Sequence, residues 1–162
     1  MERRTPLAPE GGEGPGVRGK RSQSDSVKPL LGNTKNQMKM EFLPDGSPDC
    51  PLIRLFEFTS DEARQLQGAV LALSLGASPV AVHELPFVES VGNCRLTLQV
   101  EQWDQGVTRA SEVREFVCRM TCGTWDDVAA LMEPFVNKSV GYQWLSGTPG
   151  EANLLLSRTG EW

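Results

Sequence analysis

Two cysteines four positions apart have the most evident chemical potential in this sequence. Cys118 and Cys122 stand in the segment CRMTCGTWDDVAALMEP (118–134), just ahead of two aspartates. A structural zinc site needs a second close pair or a Cys/His set, and a thioredoxin-type redox pair has two intervening residues rather than three. We therefore predict no metal site. Cys122 remains a candidate reactive thiol because it lies near the start of a predicted helix, whose dipole lowers a thiol pKa.

The single histidine, His83, is the next candidate for chemistry. It stands in the segment VAVHEL (80–85), where strand alternation would place it on the same face as Ala81 and Leu85. A histidine that acts as a general base needs an orienting partner and a nucleophile, and the sequence shows no nucleophile signature. We predict a half-buried, hydrogen-bonded histidine and assign no catalytic residue.

Aromatic and polar side chains on predicted strands form the candidate binding site. The segment CRLTLQVEQW (94–103) alternates, so its polar side chains share one face and its apolar side chains share the other. An aromatic ring beside a carboxylate, in a groove between two related halves, would hold a cationic or planar apolar ligand. The alternative is that these aromatic residues only seal the edges of a sheet. The predicted ligand-binding residues are Gln99, Glu101, Trp103, Tyr142 and Trp144.

The elements that must position these residues begin with a strand over 52–58. A helix follows, because Thr59 and Glu62 have the spacing of a capping box and apolar residues then recur at helical spacing as far as Gly76. Two more strands, over 80–85 and 94–103, complete this part of the chain.

A second series of elements has the same order. A strand over 115–121 leads to a helix that we expect Thr124 to cap, with Asp127 at the box position. Pro134 lacks a backbone N–H, so we expect this helix to kink or stop near Glu133. Strands over 140–145 and 152–158 follow.

The shared order predicts an internal duplication of a β-α-β-β unit, with pseudo-repeats over 51–103 and 113–158. A chance coincidence of element order is the alternative, because identity between the halves is low. The predicted fold class is α+β: an antiparallel sheet with both helices packed on one face. This topology resembles the doubled strand-helix-strand-strand arrangement of the GyrI-like and SOUL-type small-molecule-binding domains. The resemblance implies a ligand groove between the halves and rests on no sequence motif.

Charge and composition divide the chain near residue 50. Residues 1–40 carry eight Lys/Arg against four Asp/Glu, a net of +4, whereas residues 50–162 carry eight against fourteen, a net of −6. We predict a disordered tail over 1–49, of which residues 1–37 need not be native, since Met38 or Met40 would be a plausible translation start. The predicted single domain spans 50–162. Its acidity argues against nucleic acid as a partner, since phosphates would be repelled.

Localisation is predicted from two further features. The most apolar window is too short to cross a bilayer, and we expect no membrane association. Four unevenly spaced cysteines favour free thiols and hence a cytoplasmic setting.

Three functions follow from the sequence. The favoured one is a non-catalytic binding module for a small apolar or cationic ligand, with no cofactor. The alternative is a protein-interaction or accessory subunit that docks or forms a homodimer through an exposed face or strand edge. An enzyme is the least supported.

Overall fold

The computed structural model describes residues 37–110, 113–146 and 150–162, all of which belong to one compact unit, Thr34–Trp162. Of the predicted tail over 1–49, residues 1–36 lie outside the described residues. The fold is α+β, with two helices and two mixed sheets. The elements are β1 Met38–Leu43, β2 Leu52–Phe56, α1 Ser60–Ser74, β3 Val80–Ala81, β4 Val88–Ser90, β5 Arg95–Val100, β6 Gly106–Arg109, β7 Glu115–Met120, α2 Cys122–Val136, β8 Tyr142–Trp144 and β9 Asn153–Ser157, with short 3-10 helices at Val82–Glu84 and Val91–Asn93.

Both sheets combine parallel and antiparallel pairs, so the prediction of an antiparallel sheet is wrong. The five-stranded sheet has the order β4-β1-β2-β9-β8, and the four-stranded sheet has the order β3-β5-β7-β6. In the first, β2 pairs in parallel with β9; in the second, β7 pairs in parallel with β5. Two of the three parallel pairs join a strand that leads into a helix to a strand from a distant part of the chain, and the third joins β1 to β4. The strands that are neighbours in sequence, β1 with β2, β6 with β7 and β8 with β9, pair antiparallel.

The two helices pack against each other over one core that both sheets line, rather than on one face of a single sheet. Gln67 of α1 donates from Nε2 to the carbonyl of Ala129 in α2 at 2.8 Å. Between the sheets, the rings of Phe42 on β1 and Phe116 on β7 lie 4.6 Å apart. Burial of these apolar side chains is the main source of stability for this arrangement.

The start of α1 is as predicted. The backbone N–H of Glu62 donates to the hydroxyl of Thr59 at 3.2 Å, and the N–H of Thr59 donates to the Glu62 carboxylate at 2.7 Å. This reciprocal pair satisfies two N–H groups that a helix start leaves without partners.

Helix α2 differs from its prediction at both ends. Thr121, rather than Thr124, is the N-cap, and its hydroxyl accepts the N–H of Thr124 at 3.2 Å. The helix continues through Pro134 to Val136. Pro134 removes one hydrogen bond on an exposed side of the helix, while Phe135 is buried against Phe58 and holds the last turn in place.

Several predicted strands have different bounds. The segment 80–85 gives the two-residue β3 and a 3-10 turn, and β5 ends at Val100, so Trp103 lies on a bend and not on a strand face. Residues 38–49, placed in the tail by the sequence, include β1, which pairs with β2 and β4. The short strands β4 and β6 were not predicted.

Candidate functional site

A cleft of about 540 Å³ lies where the start of α1 meets the end of α2. Residues from both sequence ranges, 51–103 and 113–158, line it, and none of the five predicted ligand-binding residues is among them. They are Phe58, Thr59, Ser60, Asp61 and Arg64 from the first half, and Val136, Lys138 and Arg158 from the second. An adjoining depression of about 400 Å³ shares Phe58, Thr59 and Arg158.

Arg158 ties the two sides of this cleft together. It follows β9 directly, and its Nη2 donates to the carbonyl of Phe135 at 2.6 Å and to the hydroxyl of Ser60 at 3.2 Å. Its guanidinium lies 5.3 Å from the centre of the Phe58 ring, a cation–π distance. The buried Nε has no hydrogen-bond partner among the described residues. Hydrogen bonds from Nη2 therefore fix the guanidinium of Arg158, while its Nε–H has no acceptor among the described residues.

The cleft is more basic than the domain around it. Three cations line it, and Arg64 is paired with Asp61 at 2.6 Å, with both side chains largely exposed. Glu57, at the rim, is paired with Lys39 at 2.5 Å. With these pairs set aside, Lys138 and Arg158 contribute two positive charges beside an apolar ring, on a domain whose net charge is negative. Such a surface suits a ligand that combines an anionic group with an apolar part.

The predicted ligand-binding residues form two separate groups. On β5 and just after it, the amide of Gln99 donates to the carboxylate of Glu101 at 3.2 Å. Trp103 is 63% exposed on the bend that follows. In the other sheet, on β8, the rings of Tyr142 and Trp144 meet edge to face at 6.3 Å. The structure thus pairs Gln99 with Glu101 and Tyr142 with Trp144 but places the two pairs on different sheets.

An acid that the sequence did not single out lies at the start of α2. Asp104 accepts the N–H of Thr121 at 2.6 Å and the hydroxyl of Thr124 at 2.7 Å. These hydrogen bonds, first that from the Thr124 hydroxyl, lower the pKa of Asp104 below its ordinary value. The sequence offers no local signal, because Asp104 is distant from the helix that it caps.

The four cysteines differ in how deeply they are buried. Cys118 lies in the core, as its strand position predicted, and so does Cys94; burial raises the pKa of each thiol to about 12. Cys122 is half-buried as the first residue of α2. All four cysteines are free thiols. Within the ranges that the structure covers, no three Cys, His, Asp or Glu side chains cluster closely enough to hold a metal ion.

His83 is half-buried and hydrogen-bonded, as predicted. Its Nδ1 lies 3.2 Å from the carbonyl oxygen of Leu96, and Arg95 donates from Nε to His83 Nε2 at 3.4 Å. The carbonyl can only accept, so Nδ1 carries the proton and Nε2 is the acceptor. Both ring nitrogens are thus engaged in structural contacts.

Comparison with known proteins yields no relative. No protein-family model, no curated protein and no solved structure matches this chain. The resemblance to GyrI-like and SOUL-type domains is accordingly not confirmed. Across the residues with described coordinates, none of the helices has the length and apolar character needed to span a membrane.

Proposed function

We propose that this protein is a non-catalytic binding module whose cleft between the start of α1 and the end of α2 takes a small organic anion. The single observation that carries this proposal is the pair of cations at the cleft, Lys138 and Arg158. The Nη2 of Arg158 is fixed by two hydrogen bonds, so the guanidinium is held in position there. A guanidinium held in this way suits carboxylate and phosphate groups, which it binds through charge-assisted hydrogen bonds.

The ligand chemistry differs from the apolar or cationic ligand that the sequence favoured. That preference depended on Glu101 and Trp103 sharing a strand face, and Trp103 lies beyond the end of β5. In the cleft, Lys138 and Arg158 provide positive charge beside the half-buried side chain of Val136, whereas Phe58 is only 4% exposed. We therefore infer an aromatic or branched carboxylate or phosphate as the ligand class, with no metal and no cofactor.

Phenyl phosphate and benzoate are suitable probes, with inorganic phosphate and tetramethylammonium for comparison. Titrations followed by amide chemical shifts should show saturable binding of phenyl phosphate, with the largest shifts at the start of α1. Because ligand that binds only the folded state stabilises it by about 2.7 kcal/mol at one hundred times its Kd, a thermal shift should accompany binding. Inorganic phosphate should bind more weakly, since it has no apolar part to pack against Val136.

Arg158→Gln is the informative variant, and Arg95→Gln is its matched control on the opposite sheet. We expect the first to weaken phenyl phosphate binding about tenfold or more, given the usual contribution of a charged hydrogen bond, and the second to leave it unchanged. Equal binding by wild type and Arg158→Gln, or binding of tetramethylammonium alone, would contradict the proposal.

A protein-interaction module is the second candidate function. It is favoured by the exposure of apolar residues around β8, where Val140 is 80% and Tyr142 50% exposed. An enzyme remains the least supported of the three.

We also infer that the two halves arose by duplication. Helices α1 and α2 both have fifteen residues, a threonine caps each, and each follows a strand that belongs to an antiparallel pair. The parallel partners are reciprocal: β9 of the second half pairs with β2, and β5 of the first half pairs with β7.

The free thiols and the negative net charge support a cytoplasmic protein that does not bind nucleic acid.

A further inference from the structure

Strand β8 forms one edge of the five-stranded sheet, and its hydrogen bonds show which of its backbone groups face away from β9. The N–H of Arg158 donates to the carbonyl of Gly141, and the N–H of Leu145 donates to the carbonyl of Leu154. In an antiparallel ladder, alternate residues face the partner strand. Gly141, Gln143 and Leu145 therefore face β9, whereas the backbones of Tyr142 and Trp144 face away from it.

The other sheet edges carry features that oppose pairing with a further strand. β3 has two residues and follows Pro79, β4 carries Glu89, and β6 carries Arg109 and is bridged through Val107 to Ala152. Proteins usually protect the edges of their sheets with charged residues, with proline, with short edge strands or by covering the edge with another segment. Around β8, the segment SVGYQWLS (139–146) contains no charged residue and no proline.

We propose that β8 pairs with β8 of a second copy of this chain, antiparallel and centred on Gln143, so that two five-stranded sheets join into one. The outward-facing residues are placed symmetrically about Gln143, which makes the edge complementary to itself, as a two-fold interface requires. In this register Tyr142 of each copy lies opposite Trp144 of the other, and their backbones exchange hydrogen bonds. The carbonyl of Trp144, which now accepts the Gln143 amide at 3.2 Å, gains a backbone donor instead.

The side chains favour a second copy over an unrelated strand. Tyr142 and Trp144 share one face of β8, and Tyr142 is half exposed. Self-pairing forms two cross-strand Tyr–Trp pairs, which are among the more favourable pairs in antiparallel sheets. An edge without charge also lets two acidic domains meet without placing like charges opposite each other.

The test measures the mass of the full chain by sedimentation across a wide concentration range. Wild type should pass from monomer to dimer. Tyr142→Lys/Trp144→Lys places like charges opposite each other twice and should weaken dimerisation roughly tenfold or more. Tyr142→Lys/Trp144→Glu places opposite charges at the same positions and should dimerise more tightly than the Lys/Lys variant.

The comparison between the two double variants makes the register falsifiable. Both lose the same aromatic pairs, so a general loss of apolar contact would affect them equally. Trp103→Lys, at an exposed tryptophan outside the five-stranded sheet, should leave the mass unchanged. A wild type that stays monomeric at about 1 mM, where even a millimolar Kd would show, overturns the proposal, and so does a pair of double variants with equal affinity.

Discussion

The carboxylate of Asp104 accepts the hydroxyl of Thr124 at 2.7 Å, and so joins the loop after β5 to the first turn of α2. The same carboxylate accepts the N–H of Thr121. A negative charge here also interacts favourably with the positive end of the helix dipole. This contact gives α2 a start three residues earlier than its sequence suggests.

Asp104→Ala should therefore lower the free energy of unfolding by about 1–2 kcal/mol at neutral pH, the usual cost of losing a helix cap. Chemical denaturation measures this change. Asp126→Ala is the matched control, because Asp126 is exposed on the same helix; a loss of equal size there would contradict the assigned role.

The contribution of Asp104 should also depend on pH. Its pKa is lower in the folded protein than the ordinary 3.8, so its stabilisation is complete above that value and is lost as the pH falls through the folded pKa. The difference in unfolding free energy between wild type and Asp104→Ala should stay constant above the ordinary pKa and shrink as the pH falls below it. A difference that stays constant with pH would mean that the charge has no part in the cap.

Two glycines should respond to alanine in opposite directions. A Cβ at Gly150 would lie 2.5 Å from the carbonyl oxygen of Val107, on the backbone of β6. Gly150→Ala should thus cost about 1–3 kcal/mol, as overpacking does. Gly68 lies exposed within α1 with no atom near its added Cβ, so Gly68→Ala should stabilise by up to about 1 kcal/mol. Thermal or chemical unfolding of both variants checks the sign.

Thiol reactivity should separate the cysteines into two classes. Cys94 and Cys118 are buried and have pKa values of about 12, so almost no thiolate exists at neutral pH. We expect both to react with a disulfide reagent only after unfolding, while Cys50 and Cys122, which are half-buried, react in the folded state. Mass spectrometry of the labelled peptides identifies the sites. Rapid labelling of Cys118 in the native protein would be inconsistent with its place in the core.

Two tryptophans give a paired test of burial. Trp125 is fully buried, and its Nε1 donates to the carbonyl of Gln99 at 3.0 Å. Trp125→Phe should cost about 1–3 kcal/mol, because it removes the donor to the part-buried Gln99 carbonyl and opens a cavity. Trp103→Phe, at a largely exposed position, should change stability by less than about 0.5 kcal/mol. Similar losses in both variants would contradict this difference.

Sequence reasoning succeeded where both partners of a contact lie within one element. The capping box of Thr59 and Glu62 and the core position of Cys118 follow from spacings of three and two residues. Strand β1 could also have been predicted from the sequence, because the alternation of apolar and polar residues in MKMEFL matches the observed burial: Met38 and Met40 are fully buried and Lys39 is half-buried.

Contacts between distant segments could not be predicted in this way. Asp104 gives no sign in the sequence that it accepts the N–H of Thr121, and Arg158 gives none that it reaches Ser60 and Phe135. The parallel partners of β2 and β7 likewise depend on how the halves combine, which no local pattern encodes. The candidate cleft belongs entirely to this class.

The pairing of β2 with β9 has a consequence for how the protein reaches its native state. During synthesis, β1, β2 and α1 leave the ribosome long before residues 153–157, so the five-stranded sheet lacks one of its inner strands until the last part of the chain emerges. Until then, one side of β2 has no partner strand and is exposed. Such non-local pairing slows folding, and we expect refolding in milliseconds to seconds, with the greatest risk of aggregation while β2 waits for its partner.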